Sequence, residues 1–229
     1  MKIYQIEISN HCNLTCSYCP HPTQQRTRGD MTRETFEKSV ELLLRCGQRT
    51  AYLHNFGEPL LHPEVVDFVA HCTERGVDAS FFTNGVLLSP ELLVRLADAG
   101  LTHLCVSKHT RGEGDRVAQL IEETGVPVAI RDRFRPQRQQ LHSWADQVTP
   151  GARILPVHVS EGPGPCLFER QQAAVVLWDG RIGVCCIDVE GQGARGTVDD
   201  YLAGDAEYHF APIPLCGSCS LMRGEEDLS

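Results

Sequence analysis

Strand-like and helix-like runs alternate through the first 160 residues, and this alternation restricts the fold more than any other feature of the chain. Strand-like runs fall at residues 3–8, 51–55, 79–82, 101–107, 126–130 and 153–159. Periodic, capped helices lie between them. Thr32 is placed to cap a helix whose apolar face is Phe36, Val40, Leu43 and Leu44 and which stops near Gly47. Pro63 opens a second helix that ends at Gly76. Ser89 followed by Pro90 opens a third, closed by Gly100. Weaker helical patterns cover residues 113–124 and 136–147. Strands joined through helices run parallel, because a tight turn cannot return the chain in the same direction. The pattern predicts an α/β fold, a partial (β/α)6 TIM-type barrel, with a doubly wound sheet as the alternative.

The pattern changes near residue 160. "EGPGP" (161–165) reads as a linker, and "AAVVLWDGRIGVCC" as a hairpin with Asp179-Gly180 at its turn. A glycine-rich stretch and a terminal "LCGSC" follow. The sequence therefore divides into a barrel over 1–160 and a small cysteine-bearing domain over 161–229.

Ligands of parallel α/β folds collect at the C-terminal ends of the strands. The segments that follow the strands here are a three-cysteine loop, "FGEP" (56–59), "TNG" (83–85), "SKH" (107–109), "RDR" (131–133) and "SEG" (160–162). Polar, glycine-rich and thiol-bearing residues thus fall on one rim. Arg131 and Glu161 are candidate substrate contacts there, with Phe82 beside them.

The loop "HCNLTCSYCP" carries Cys12, Cys16 and Cys19 in a C-x3-C-x2-C spacing. Thiolates suit zinc or iron–sulfur clusters. A four-iron cubane held by three cysteines keeps one iron open to an exogenous ligand. The competing possibility is a zinc site completed by His11 or a distant residue.

Composition narrows the field. The 229 residues have a net charge of −9, and no basic run suggests nucleic acid or an anionic membrane as a partner. No apolar stretch approaches the roughly 20 residues needed to span a bilayer. "MKIYQIEIS" lacks the apolar block of a signal peptide. A cytoplasmic protein is expected, and its eleven cysteines point to metal or redox chemistry rather than disulfides.

The cysteine loop, with an aromatic Tyr18 before its last cysteine, resembles the CxxxCxΦC motif of the radical S-adenosylmethionine (SAM) superfamily. That resemblance implies a [4Fe–4S] cluster on Cys12, Cys16 and Cys19. It also implies SAM chelating the open iron, reductive cleavage of its sulfonium, and hydrogen abstraction by a 5′-deoxyadenosyl radical. "FGEP" resembles the family's GGEP segment, with Phe56 in place of Gly. It implies that Phe56, Gly57 and Glu58 meet the methionine end of SAM. Tyr18 would face the adenine, and Ser107, Lys108 and His109 the ribose or carboxylate.

Cys166, "DGRIGVC" ending in Cys185, "GTV" (196–198) and "CGSC" with Cys216 and Cys219 resemble the Twitch form of the SPASM domain, which binds an auxiliary [4Fe–4S] cluster. Four thiolates suit zinc as well. Cys186 is then a spare thiol beside a ligand. Cys46, Cys72 and Cys105 read as small core residues.

The order of segments is similar to the Twitch-bearing radical SAM dehydrogenases of aminoglycoside biosynthesis, which oxidise a secondary alcohol to a ketone. Phe56 and Phe82 replace tyrosines of that pattern, and an expected arginine after the last barrel strand is missing. The resemblance implies two-electron oxidation of a small polar natural-product intermediate, with the auxiliary cluster as electron acceptor. It also implies a donor such as flavodoxin or ferredoxin. Alternatives are a peptide-modifying enzyme, an epimerase with Cys186 as hydrogen donor, and a two-cluster electron carrier. The chain opens directly on its first strand, which favours a small-molecule substrate or a peptide leader bound elsewhere.

Overall fold

The structure is a computed structural model that describes residues 1–16, 19–107, 111–126, 129–132, 145, 147 and 166–219. The predicted helix over 136–147, the strand over 153–159 and the boundary near 160 lie outside these or almost wholly so.

Strand β1 (Lys2–Ile6) leads to helix α1 (Arg33–Arg45), and β2 (Thr50–Tyr52) to α2 (Val65–Glu74). Strand β3 (Asp78–Thr83) leads to α3 (Pro90–Asp98), β4 (Leu101–Val106) to α4 (Arg111–Thr124), and β5 (Ala129–Asp132) follows. Strands β2, β3, β4 and β5 pair in that order, all parallel. This is a partial TIM-type α/β barrel, as the alternation predicts. Among the described residues no helix is long and apolar enough to cross a membrane.

Local chemistry sets the helix ends. The Thr32 hydroxyl accepts from Thr35 N–H (3.2 Å) and the Ser89 hydroxyl from Leu92 N–H (3.2 Å). Phe36, Val40, Leu42 and Leu43 of α1 are buried, and Phe36 stacks on Phe68 of α2 with ring centroids 3.9 Å apart. Strand ends differ more from expectation. β1 stops at Ile6 because Ile8 pairs elsewhere, its carbonyl accepting from Met31 N–H (2.8 Å). β5 reaches Asp132, which places Arg131 inside a strand, opposite Cys105, rather than in the loop after it.

The C-terminal segment does not stand apart from the barrel. Helix α5 (Leu167–Gln171) leads to β6 (Ala173–Val176), and the expected Asp179-Gly180 turn returns the chain as β7 (Ile182–Gly183). β6 runs parallel to β1 and pairs with it, Lys2 opposite Ala173 and Ile6 opposite Val176. Alternate β6 residues face opposite ways. Ala174 and Val176 join the barrel core, while Ala173 and Val175 pack with Cys166, Phe168 and Leu177. Helix α6 (Val198–Ala203) returns over α1, where Asp199 meets Lys38 (2.6 Å) and Leu202 O accepts from Arg45 (2.8 Å). The hairpin is therefore buried on both faces.

On the other side of β1, a side chain takes the part of a strand. The Gln48 amide donates to Ile3 O (2.8 Å) and its oxygen accepts from Ile3 N–H (2.6 Å), just before β2 begins. Gln48→Ala strips both partners from Ile3. It should lower unfolding free energy by about 1–3 kcal/mol, read as a lower denaturant midpoint.

Candidate active site

β1 ends in the cysteine loop, and a narrow neck closes that loop. Asn10 is buried. Its Oδ1 accepts from Gly29 N–H (2.7 Å), and its Nδ2 donates to Thr27 O (3.0 Å). Within the loop the Cys19 N–H donates to Cys16 O (3.1 Å). Cys12, Cys16 and Cys19 are all half-buried. Burial pushes the Cys19 thiol up to about 11, with the neighbouring Cys16 and Cys12 adding to it. Burial also raises Cys12, helped by the charges of Glu58 and Cys16. The Cys12 and Cys19 thiols, raised in this way, suit a cationic centre, which holds coordinating thiols deprotonated. Among the described residues no three His, Cys, Asp or Glu side chains converge on one point for a single ion. A cubane takes one thiolate per iron, so it needs thiols spread around a small volume. The donor set fits a [4Fe–4S] cluster on those terms.

The next two rim segments lock onto this loop. Gly57 has φ +103°, and a Cβ there would lie 2.6 Å from Ser9 O, 2.8 Å from His11 O and 2.9 Å from Asn10 Cα. Only glycine permits that approach. The Glu58 N–H then donates to His11 O (2.7 Å). Its carboxylate is buried and serves the protein itself. Oε1 accepts from Leu60 N–H (3.0 Å) and the Thr83 hydroxyl (2.6 Å), and Oε2 from Asn84 N–H (2.7 Å). Burial holds this carboxyl above its usual range, against the pull of those three donors. Asn84 Nδ2 also donates to Asn13 Oδ1 (2.7 Å) inside the cysteine loop, and Ser107 N–H donates to Thr83 O (2.8 Å). FGEP, TNG and the end of β4 are thus one hydrogen-bonded rim around the thiol loop.

A large cavity opens beneath the rim. Phe56, Phe82 and Ser107 line it, together with Tyr4, His54 and Asn55. Cys186 lines it too, from the C-terminal segment. Cys166, Cys185, Cys216 and Cys219 all line a second, apolar pocket with Phe168, Ile187 and Phe210. Two backbone groups point at its sulfurs: Ile187 N–H donates to Cys185 Sγ (3.5 Å) and Ile213 N–H to Cys216 Sγ (3.4 Å). The structure brings together all four cysteines of the sequence pattern. Cys186 packs beside them but lines the cavity rather than the pocket; β7 ends at Gly183, so a turn and not strand alternation sets the two thiols apart. A hydrogen bond to Cys186, then burial, push the Cys185 thiol well up, so the two thiols touch across the wall between pocket and cavity.

Tyr18, Lys108, His109 and Glu161 lie outside the described residues, as does the Arg131 side chain. Cys72 and Cys105 are buried as expected, and Cys46 caps α1. Sequence reasoning missed the buried Glu7–Arg26 pair (2.5 Å), Asn10, Asn13 and Thr83. His21 and His62 are buried, holding Asn10 O (2.7 Å) and Met31 O (2.9 Å). A glutamate inside an apolar strand was the one signal for the ion pair.

A thiol loop at the C-terminal ends of a partial barrel, clamped by a GEP turn, defines a class of enzymes that start radical chemistry from an iron–sulfur centre. Residues 6–126 match the radical SAM superfamily, and the chain belongs to it. Its cofactors are those of the superfamily, a [4Fe–4S] cluster and SAM. The chain is 34% identical over 103 residues to the PqqA peptide cyclase of Rhodopseudomonas palustris, covering 44% of this chain and 27% of that protein. It is 33% identical over 102 residues to the tungsten-containing aldehyde ferredoxin oxidoreductase cofactor-modifying protein of Pyrococcus furiosus, covering 44% and 29%. The matched segment spans less than a third of either relative. The fold is similar to that of BtrN crystallised with AdoMet and 2-DOIA, with a TM-score of 0.67 and 23% identity over 90% of this chain and 82% of that one.

Gly57→Ala places a methyl group against backbone that cannot yield. The strain should cost about 1–3 kcal/mol or more and lower iron loading of the cysteine loop, read by iron analysis after reconstitution. Gly47→Ala is the control: its φ is +75° but nothing lies within 4 Å of the added Cβ. It should leave iron loading unchanged.

Proposed function

We propose that this radical SAM enzyme is a dehydrogenase. It oxidises a small polar substrate by two electrons, with a second [4Fe–4S] cluster as electron acceptor. In this reading Cys12, Cys16 and Cys19 hold the SAM-binding cluster, and Cys166, Cys185, Cys216 and Cys219 the auxiliary one. The barrel spans 1–160 and the Twitch-like domain 161–229.

The observation that carries it is the wall formed by Cys185 and Cys186. One thiol belongs to the four-cysteine pocket, and its neighbour lines the cavity under the rim. A substrate in that cavity lies between the SAM rim and an electron acceptor. When bound, the cluster and SAM supply the 5′-deoxyadenosyl radical that takes one carbon-bound hydrogen atom. For a secondary alcohol the balance is then one hydroxyl proton released and one electron passed to the auxiliary site, leaving a ketone. Gly57 and Glu58 position the methionine end of SAM through the rim network, Tyr18 its adenine, and Ser107, Lys108 and His109 its ribose or carboxylate. Phe56 and Phe82 wall the cavity, and Arg131 and Glu161 supply polar contacts to substrate. The likeness in segment order to 2-deoxy-scyllo-inosamine dehydrogenase supports oxidation. The PqqA peptide cyclases among the relatives leave a peptide substrate as the competing class. A flavodoxin or ferredoxin is the proposed reductant.

Anaerobic reconstitution should give about eight irons per chain, from two four-iron clusters. The Cys12/Cys16/Cys19→Ala protein should keep about half of that iron and form no 5′-deoxyadenosine from SAM and reductant. Zinc in the wild type, or SAM cleavage by the variant, overturns the reading.

Cys186 supports one second reading, an epimerase in which this thiol returns a hydrogen atom to the substrate radical. Turnover in deuterated water separates the two. The dehydrogenase gives an oxidised product without deuterium at carbon, and Cys186→Ala still forms it. The epimerase incorporates deuterium and stops when Cys186 is replaced.

A further inference from the structure

The return limb of the N-terminal cysteine loop is bolted to the turn that carries Cys185. Arg26 is the bolt. Its side chain is only 6% exposed, and its guanidinium forms a fork on the fully buried Glu7 carboxylate (2.7 and 2.5 Å). Its Nε donates to Val189 O (2.7 Å), and Gln24 Nε2 donates to the same carbonyl (3.0 Å). The Glu190 carboxylate answers in the other direction. It accepts from the backbone N–H of Gln25 (2.9 and 3.1 Å) and of Arg26 (3.0 Å). Gln24 to Arg26 follow Cys19 by five to seven residues, and Val189 follows Cys185 by four. Few covalent bonds therefore separate each cysteine site from this junction.

We propose that Arg26 and Glu190 are positioning residues that couple the two cysteine sites, so that filling the C-terminal pocket tightens SAM binding at the N-terminal loop. This rests on reading both cysteine sets as cluster ligands. A filled pocket fixes the 185–190 turn through Cys185. The fixed turn holds Val189 O and the Glu190 carboxylate in place, and they hold the limb that closes the cysteine loop. SAM then binds a loop whose ordering cost has already been met. Because coupling is reciprocal, bound SAM strengthens retention of the auxiliary cluster by the same factor.

The test uses the full reconstituted chain. SAM affinity is read from the change it produces in the electron paramagnetic resonance signal of the reduced N-terminal cluster. The Cys216→Ala/Cys219→Ala protein should bind SAM about five-fold or more weakly than wild type. Glu190→Ala should weaken binding to a similar extent, and Glu190→Gln, which keeps an acceptor oxygen, should recover part of the loss. Glu190 is half-buried and outside the core, so these variants are expected to fold. In the protein combining Glu190→Ala with Cys216→Ala/Cys219→Ala, the two losses should not add. Hydrogen exchange over residues 20–28 should also quicken in Cys216→Ala/Cys219→Ala while α3 keeps its protection. Additive losses, unchanged affinity or unchanged exchange overturn the coupling and leave the functional reading standing. A wild type without a SAM-responsive cluster overturns both.

Discussion

A carboxylate with no access to water sits where β1 gives way to the thiol loop, and the architecture around it follows from the need to pair it. Glu7 is fully buried, and burial pushes its carboxyl upward while Arg26 pulls it back. A buried ion pair is no better than a packed apolar pair for stability, but removing one partner leaves an uncompensated charge and costs about 3–5 kcal/mol. Such a pair therefore fixes geometry more than it adds stability. Here it commits three chain segments to one arrangement. Asn55 after β2 and the Trp178 N–H of the hairpin complete the shell of Glu7 (3.2 and 3.3 Å). The Trp178 indole covers Gly29 so closely that a Cβ there would lie 2.5 Å from the ring, and its Nε1–H donates to Thr27 O (3.2 Å).

The rim applies the same logic with neutral donors. Glu58 stands in the segment where the family resemblance implies a cofactor contact, yet three protein donors already occupy its carboxylate. An amide at this position would turn an NH2 toward either the Asn84 N–H or the two donors on the other oxygen. If SAM binds as proposed, Glu58 acts on it largely through the shape of the rim. Asn13 and Asn84 extend that shape into the thiol loop, so the positions of Cys12 and Cys16 depend on residues that follow β3.

Helices were the most legible part of the sequence because their ends are local. Thr32 and Ser89 cap within three residues of themselves, and no tertiary contact overrides them. The rim was legible for a topological reason, since parallel strands present their following segments on one side. Strand limits were less so, because pairing partners define them. β1 ends where Met31 takes the Ile8 carbonyl, and β5 extends alongside β4 as far as Asp132. The docking of β6 on β1 joins residues about 170 positions apart, and nothing in "AAVV" names its neighbour. The Gln48 bridge and the Arg26 fork were hidden for the same reason. Their side chains are ordinary surface types, and only the fold supplies the buried groups they satisfy. The four C-terminal cysteines were legible because their chemistry requires them to gather, whatever path the chain takes between them.

The adjacent cysteines at 185 and 186 show how little separation a protein needs to give two thiols different surroundings. β7 ends before them, and the turn that follows sends one sulfur into an apolar pocket with three other thiols and the next into the cavity below the rim. The hydrogen bond between them disfavours ionisation of Cys185 so long as the pocket offers no cation. A cluster on Cys185 would convert that sulfur into a thiolate acceptor, and Cys186 would then be a donor aimed at it from the cavity wall. The two sites are thus connected in a direct physical sense. The charge state of the pocket would set the direction of a hydrogen bond at the cavity wall. In the proposed dehydrogenase and in its epimerase rival alike, the substrate radical would meet this one dipeptide.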